Sequence, residues 1–331
     1  MLSNKSKIRK ILVVSLTNIG DVILTLPVID ILLRDFPEAK LSVVVSPKAQ
    51  ALIKGNPYFH RVYVFDKRQP WWRTIPWVIH LLQRRFDLVV DLRNTAIPFL
   101  IAPRYRTPAA IEQKADTHMK NKHLQRLLTV YHYAAESDEK LALVVPAKEA
   151  EFMRQTIENA FGKNPSYIVV APGAADQTKQ WPAQGFIEVC YQLMKRYNVP
   201  MVLVGDENDR LASSKITETL GAGALNLCGR TTLTQLAAVI QRAQLVLAND
   251  SAPMHLASYL DVPVLALFGP TDARKYGPWG AKGRFIQRNQ FCPGCQNPKD
   301  APRHTCMEAI SSQDVLNAFQ WAQGKVVLTR A

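Results

Sequence analysis

Residues 11–33 read ILVVSLTNIGDVILTLPVIDILL and contain the pattern that the rest of the chain repeats. An apolar run of strand length ends at a polar corner, and an apolar segment of helical length follows it. This succession is typical of the strand-to-helix unit that opens a nucleotide-binding α/β domain. The corner lacks the Gly-x-Gly-x-x-Gly spacing of a dinucleotide fingerprint, so its Gly20 and Asp21 need another explanation.

The same alternation of strand and helix continues along the chain. Strand-like runs at 40–47, 61–66 and 87–95 follow in the first half. Others at 167–174, 200–209 and 262–272 follow in the second, where residues 245–260 read as a strand, a turn and a helix. The pattern predicts two Rossmann-like, doubly wound parallel-sheet domains whose ligand-binding edges face a central cleft. We expect the domains to span residues 1–162 and 163–310, with a C-terminal helix in 311–331 that packs back on the first domain.

Length and composition are consistent with two soluble domains. The chain has 331 residues, 47% hydrophobic and 21% charged, which accommodates two domains of ~150 residues each. No apolar run approaches the ~20 residues of a membrane span. The basic N-terminus is followed by an apolar run that is too short for a signal peptide. These features predict a cytoplasmic protein.

The charge is strongly basic. Lys and Arg number 41 against 27 Asp and Glu, a formal net charge of +14, and much of the excess lies in the first half. There Arg68 and Arg73 surround Trp71 and Trp72. Such a mixture favours an anionic partner. Three kinds are consistent with it: a nucleic acid, an anionic lipid surface and a phosphorylated substrate. The alternative is a solvated surface with a basic bias.

A cysteine cluster lies near the C-terminus. Cys292, Cys295 and Cys306, with His304, supply the ligand types of a zinc site. The spacing between the two halves of the cluster is shorter than in common zinc fingers. The alternative is a reduced structural loop.

Two polar corners have one functional and one structural interpretation each. Asp21 is either a catalytic residue or an acidic residue in the first turn of the following helix, where the helix dipole favours a negative charge. Gly20 is expected to let the backbone turn tightly at this corner. In PGAADQTKQWP, Lys179 is placed to bind a phosphate over the end of a strand, and Trp181 packs beneath the loop.

Two further corners follow in the second half. Three acidic residues follow Gly205: Asp206, Glu207 and Asp209. They either accept hydrogen bonds from the hydroxyls of a ribose or cap the next helix. Asp250 precedes a helix that begins with small residues, Ser251 and Ala252, so its backbone N–H groups can approach a pyrophosphate. His255, in the first turn of that helix, is by itself more typical of a structural hydrogen bond.

Taken together, these motifs resemble a known family. LTNIGDVILTLPVI, PGAADQTKQWP, VGDEND, CGRTTLTQLAAVI, NDSAPMHLA and LFGPTD occur in that order across nearly the whole chain. The series resembles the lipopolysaccharide core heptosyltransferases of glycosyltransferase family 9. The resemblance implies a GT-B fold and an inverting transfer of heptose from ADP-heptose to the lipopolysaccharide inner core. It also implies no metal, no cofactor other than this donor substrate, and work at the cytoplasmic face of the inner membrane.

The resemblance also implies roles for individual residues. Asp21 matches the catalytic base, beside an acceptor-side loop with Thr17, Asn18 and Gly20. Lys179 matches a ligand of the donor phosphates, and Trp181 belongs to the same motif. Asp250 matches the residue that contacts the donor sugar. The residues that follow it in the same segment are expected beside the pyrophosphate: Ser251, Ala252, Met254 and His255. Where many members have Gly-x-x-x-Glu for the ribose, this chain has Gly205 and Asp209, so Asp206 or Glu207 is an alternative ribose ligand.

Two alternatives remain open at this point. One is a GT-B transferase that uses a different nucleotide sugar, and the other is an inactive homologue that binds anionic surfaces. The expected partners are ADP-heptose, the inner-core acceptor and an anionic membrane surface rather than a nucleic acid. A dinucleotide oxidoreductase is disfavoured because no Gly-x-Gly-x-x-Gly follows a predicted strand.

Overall fold

The computed structural model describes residues 7–16, 18–109, 111, 116–288 and 305–323. The chain divides into two compact units, Met1–Val144 and Val145–Ala331. In the part of the chain that the structure describes, no helix combines the length and the apolar character that crossing a bilayer requires.

The first unit is a parallel sheet with helical connections. Its strands in the described residues are β1 Lys10–Val14, β2 Lys40–Val45, β3 Arg61–Val64, β4 Leu88–Asp91 and β5 Tyr105–Arg106. Its helices are α1 Ile19–Asp35, α2 Pro47–Ile53, α3 Trp71–Gln83, α4 Ile97–Leu100 and α5 Met119–Leu128. The strand order is β3-β2-β1-β4-β5, and every pair is parallel. The order therefore reverses between β1 and β4.

The apolar stretch that opens the chain forms the centre of this unit. In β1, residues Ile11–Val14 are buried, and Ile11 lies opposite Leu41 of β2 and Leu88 of β4. In α1, every residue from Val22 to Leu32 is buried. A helix that is covered on all sides needs no polar face, which explains its nearly continuous hydrophobicity. The buried Asp30 carboxylate accepts a hydrogen bond of 2.8 Å from the Ala142 N–H, which ties the end of the unit to α1.

The second unit has the same architecture. Its strands in the described residues are β6 Ile168–Ala171, β7 Met201–Leu203, β8 Ala224–Asn226, β9 Leu245–Asn249, β10 Val264–Phe268 and β11 Gly283–Gln287. Its helices are α6 Ala147–Phe161, α7 Ala183–Tyr197, α8 Arg210–Leu220, α9 Leu233–Gln241, α10 Ala252–Tyr259, α11 Ala273–Tyr276 and α12 Ser312–Gln323. The parallel order β11-β10-β9-β6-β7-β8 reverses between β6 and β9. The predicted α/β class with two doubly wound parallel sheets is confirmed.

Two helices pack differently from the sequence expectation. Helix α6, which we assigned to the first domain, packs against α9 of the second unit, so the compact units divide at Val144 rather than at residue 162. The C-terminal helix was expected on the first domain. Its described part packs against α7 of the second unit, because Val315 and Phe319 are buried in that unit's core.

Candidate active site

The first candidate corner lies where the strand order of the first sheet reverses. Asp21 is in the first turn of α1, directly after β1, and Arg93 follows β4. Arg93 Nη1 lies 3.9 Å from Asp21 Oδ1, and the two side chains are 22% and 25% exposed. Ligands of open parallel sheets bind at such switch points, outside the carboxyl ends of the strands. The corner therefore presents an accessible carboxylate beside a guanidinium.

The loop that carries Arg93 is held by a buried carboxylate. Asp91 accepts hydrogen bonds from the Arg93 N–H at 2.8 Å, the Thr95 N–H at 2.5 Å and the Thr95 hydroxyl at 2.9 Å. Arg126, which is also buried, donates from Nε to the Asp91 carbonyl and from Nη2 to the Pro108 carbonyl, both at 2.8 Å. These bonds fix the backbone that presents Arg93 to Asp21.

A buried histidine lies within the same charged region. Neither ring nitrogen of His123 has a hydrogen-bond partner among the described residues. Burial, together with the charges of Arg93, Arg126 and His118, lowers the pKa of His123 to about 3. His123 is therefore neutral at physiological pH and leaves the positive charge of the corner to the arginines.

The sequence analysis gave no site role to Arg93 or His123. The available signal was the polar end of the strand segment 87–95, which indicated ligand contacts but not their partner. The sequence of helix α5 is rich in basic residues, and this pattern does not reveal that His123 is buried. Only the strand order brings the end of β4 next to Asp21.

The low pKa of His123 has a consequence for stability. Between pH 6.5 and pH 3, the unfolded chain binds a proton at this position that the folded chain does not. The free energy of unfolding is therefore expected to fall on acidification by about 1.4 kcal/mol per pH unit from this residue alone. The His123→Leu variant should lose that part of the slope in urea unfolding measured at several pH values. Leu127→Val, a buried change in the same helix, should lower stability without changing the slope; equal slopes for wild type and His123→Leu would contradict the prediction.

The remaining predicted residues of this corner have more limited roles. Asn18 is the N-cap of α1 but makes no side-chain capping bond. Gly20 was predicted at a tight turn, and this is wrong, because Gly20 lies inside the first turn of α1, in a conformation open to any residue. Thr17 lies outside the described residues.

The second candidate corner lies at the switch point of the second sheet, between β6 and β9. Lys179 ends a short 3₁₀ turn after β6, and Asp250 directly follows β9. Lys179 Nζ donates to Asp250 Oδ2 at 2.7 Å, and Asp250 is nearly buried. His255 Nε2 lies 4.0 Å from the other carboxylate oxygen. The structure thus brings Lys179 to Asp250 and His255, which the sequence placed in a different motif.

Trp181 supports this corner from below. Its ring is buried against Phe186, at 5.0 Å between ring centroids, and its indole Nε1 donates to the Ile310 carbonyl at 2.9 Å. Its backbone N–H donates to Asn249 Oδ1 at 3.3 Å, and Asn249 Nδ2 donates to the Pro172 carbonyl at 2.7 Å. This is the packing beneath the loop that the sequence analysis expects; the contribution of Trp181 to donor binding stays a prediction.

The start of α10 completes the corner. Ser251 is the N-cap, and its hydroxyl donates to the Asn249 carbonyl at 3.2 Å instead of capping the helix. Pro253 has no N–H, and the Met254 N–H donates to the Ser251 carbonyl at 3.2 Å. The Ala252 N–H is therefore the group that the start of α10 can offer to an anion. The methyl group of Ala252 is too small to block the approach of an anion. Met254 is fully buried, so its side chain belongs to the core.

The turn after β7 brings Asp209 beside two glycines. Its carboxylate accepts a hydrogen bond from the Asp206 N–H at 3.0 Å, and burial raises its pKa. A Cβ on Gly173 would lie 2.0 Å from Asp209 Cγ, and one on Gly205 would lie 2.6 Å from its Oδ2. A side chain at either position would therefore displace the Asp209 carboxylate. Glu207 instead pairs with Arg210 at 3.0 Å.

The cysteine cluster is only partly described. Cys306 is buried in the core of the second unit, where a Cβ on Gly269 would lie 3.2 Å from its sulfur. Cys292, Cys295 and His304 lie outside the described residues. Within the described residues, no group of His, Cys, Asp and Glu side chains could hold a metal ion.

Comparison with known proteins identifies relatives of this chain. Residues 80–303 match the model of glycosyltransferase family 9 (heptosyltransferase). The chain is 26% identical over 284 residues to lipopolysaccharide heptosyltransferase 3 of Escherichia coli, covering 78% of this chain and 83% of that protein.

Solved structures show the same fold. A family 9 glycosyl transferase from Veillonella parvula superposes with a TM-score of 0.82 at 20% identity, covering 98% of this chain and 99% of that one. Escherichia coli heptosyltransferase WaaC with ADP-2-deoxy-2-fluoro heptose gives a TM-score of 0.68 at 17% identity, with coverage of 94% and 99%.

The two parallel sheets and their match to the WaaC structure show the GT-B fold. The chain belongs to glycosyltransferase family 9, the heptosyltransferases. The resemblance that the motifs indicated is confirmed.

Proposed function

We propose that this chain transfers heptose from ADP-heptose to the inner core of lipopolysaccharide, with Asp21 as the general base. The observation that carries the proposal is the accessible Asp21 carboxylate at the switch point of the first sheet, 3.9 Å from Arg93. The name of the Escherichia coli relative supports the acceptor, and the ligand in the WaaC structure supports the donor.

The proposed reaction begins at the first corner. Asp21 removes the proton of an acceptor hydroxyl as its oxygen attacks C1 of the heptose. The C1–O bond to the β-phosphate breaks, and ADP leaves with the bonding electron pair, so the configuration at C1 inverts. Arg93 orients the Asp21 carboxylate. In this proposal the first unit binds the acceptor.

The second corner stabilises the leaving group. Lys179 and the Ala252 N–H at the start of α10 are suited to the negative charge that develops on the departing diphosphate. Asp250 holds the Lys179 ammonium at 2.7 Å and is free to accept a sugar hydroxyl on its second oxygen. We place Asp209 at the ribose. Because protein groups supply the charge stabilisation, we propose a reaction that needs no metal.

The acceptor of this proposal is a lipid, so we place the reaction at the cytoplasmic face of the inner membrane. The basic charge of the chain agrees with work at an anionic surface.

A transfer assay tests the proposed function. We expect the enzyme, incubated with ADP-heptose and a panel of defined core acceptors, to add one heptose to one acceptor, measured as a mass increase, also in the presence of EDTA. Calorimetry should detect binding of ADP but not of UDP or NAD. Binding of UDP in place of ADP would instead support a GT-B transferase with another donor, and ADP binding without transfer to any acceptor would support an inactive homologue.

A further inference from the structure

Helix α3 carries an apolar stripe on its outer side. Its members, which follow one another at intervals of three and four residues and are 46–59% exposed, are Trp72, Ile75, Ile79 and Leu82. Such intervals place side chains on one face of a helix. The opposite face is buried, with Leu81 in the core and Trp77 packed against Phe65 at 4.8 Å between ring centroids. The stripe is thus additional to the apolar face that folding uses.

A neighbouring helix adds further exposed apolar side chains. Helix α4 lies against α3 and exposes Phe99 and Leu100. The guanidinium of Arg106 stands 4.6 Å from the centre of the Phe99 ring, so a cation borders these side chains. Single exposed apolar residues are ordinary on soluble proteins, but six of them on two adjoining helices, with cations beside them, are typical of an interaction surface.

One flank of the stripe is cationic. At about 100° per residue, Arg73, His80 and Arg84 project between the stripe and the buried face of α3. Arg84 Nη2 lies 3.1 Å from His80 Nε2. Arg84 Nε is buried and has no hydrogen-bond partner among the described residues. The end of α3 therefore carries a guanidinium with an unused donor.

Arg84 is also a wall of a positively charged pocket. The pocket has a volume of about 200 Å³ and is lined by Lys10, Lys40, Ser42, His60, Arg61, Tyr63, Arg84 and Phe86. None of these eight residues is acidic. Burial lowers the pKa of His60, and the surrounding Lys and Arg side chains lower it further. The pocket is therefore suited to an anion of the size of a phosphate group.

Topology connects these features along one side of the first unit. The pocket lies where β1, β2 and β3 begin, while Asp21 follows the end of β1. Helix α3 connects the end of β3 to the start of β4, so it runs from the edge of the sheet that carries Asp21 to the edge that carries the pocket. Since β1 has five residues, the two edges are about 16 Å apart.

We propose that the stripe of α3, the exposed apolar side chains of α4 and the cationic pocket form a docking surface for an anionic phospholipid bilayer. The stripe enters the boundary between headgroups and acyl chains, and the pocket binds a headgroup phosphate. A helix with an apolar face and flanking cations is the pattern of an interfacial membrane helix. A soluble phosphate would use only the pocket, and an uncharged apolar partner would not use the cations. The net charge of +14 favours the same partner.

Vesicle co-sedimentation of the full chain tests this docking surface, without donor or acceptor present. We expect binding to phosphatidylcholine vesicles that contain phosphatidylglycerol, and weak binding to phosphatidylcholine alone. The double variant Ile75→Asp/Ile79→Asp should weaken binding at least about tenfold, because two side chains can no longer enter the apolar boundary. Lys40→Glu/Arg61→Glu should also weaken it about tenfold and reduce its salt dependence.

Matched variants control for the changes in polarity and charge. Leu211→Asp alters a side chain that is 80% exposed on α8, and Lys195→Glu reverses an exposed charge on α7; both should bind vesicles like wild type. Urea unfolding checks that each variant is folded. Equal binding to neutral and anionic vesicles, loss of binding only in the pocket variant, or self-association that Ile75→Asp/Ile79→Asp abolishes would each overturn the proposal. Because donor and acceptor are absent, such a failure leaves the proposed transfer untouched.

Discussion

Replacing Asp21 with Asn is expected to lower kcat for heptose transfer by about 10²–10⁴-fold, the contribution of a general base. Asn keeps the size of the side chain and its place in the first turn of α1, but it cannot accept the proton of the acceptor hydroxyl. Affinity for ADP should stay unchanged, because the proposed donor ligands belong to the second unit. The measurement is single-turnover transfer together with calorimetry of ADP binding.

A charge-matched variant separates the base from simple charge loss. Glu38→Gln removes one exposed carboxylate from the same unit and should transfer heptose at the wild-type rate. The pH profile of kcat gives a second readout, since the acid limb that reports ionisation of the base should be missing in Asp21→Asn. Wild-type activity in Asp21→Asn would remove Asp21 from the base role.

Replacing Lys179 with Ala is expected to lower kcat/KM by about 10²–10³-fold. The change removes the cation that we assign to the departing diphosphate, and it leaves the nearly buried Asp250 without its bond of 2.7 Å. The loss of this charged hydrogen bond should also reduce the free energy of unfolding by about 1–3 kcal/mol. Transfer kinetics and urea unfolding measure the two effects.

Two comparisons distinguish phosphate binding from a structural role of Lys179. Lys179→Ala should weaken ADP binding and leave adenosine binding unchanged, because adenosine has no phosphate. Lys195→Ala, an equal change at an exposed position of α7, should affect neither ligand. An equal loss of affinity for ADP and adenosine would show that Lys179 maintains the structure of the corner and does not bind the diphosphate.

The architecture was predictable from local pattern. Buried parallel strands read as continuous apolar runs, and α1 reads as an apolar helix, because both are covered on two or more sides. Asp21, Lys179 and Asp250 were found because polar residues at strand ends have no use in packing. These signals lie within a few residues of one another, so no tertiary information is needed to detect them.

Other features depended on long-range packing. The motif predicted that Trp181 packs beneath the loop but not the partner of its indole N–H, which is the carbonyl of Ile310, 129 positions along the chain. Helix α12 was expected on the first domain, and its apolar face is equally suited to either unit; the buried Val315 and Phe319 assign it to the second. An amphipathic pattern indicates that a helix packs against another element, but it does not identify that element.

Local patterns in the sequence predicted the class of the two sheets, the family, and the strand ends that carry Asp21, Lys179 and Asp250. Which strand ends lie side by side within each sheet follows only from the tertiary structure. The reversal of strand order between β1 and β4 brings Arg93 to Asp21, and the reversal between β6 and β9 brings Lys179 to Asp250. The physical reason is that strand order depends on hydrogen bonds between segments far apart in the chain, whereas strand and helix formation depends on side chains that are close in sequence.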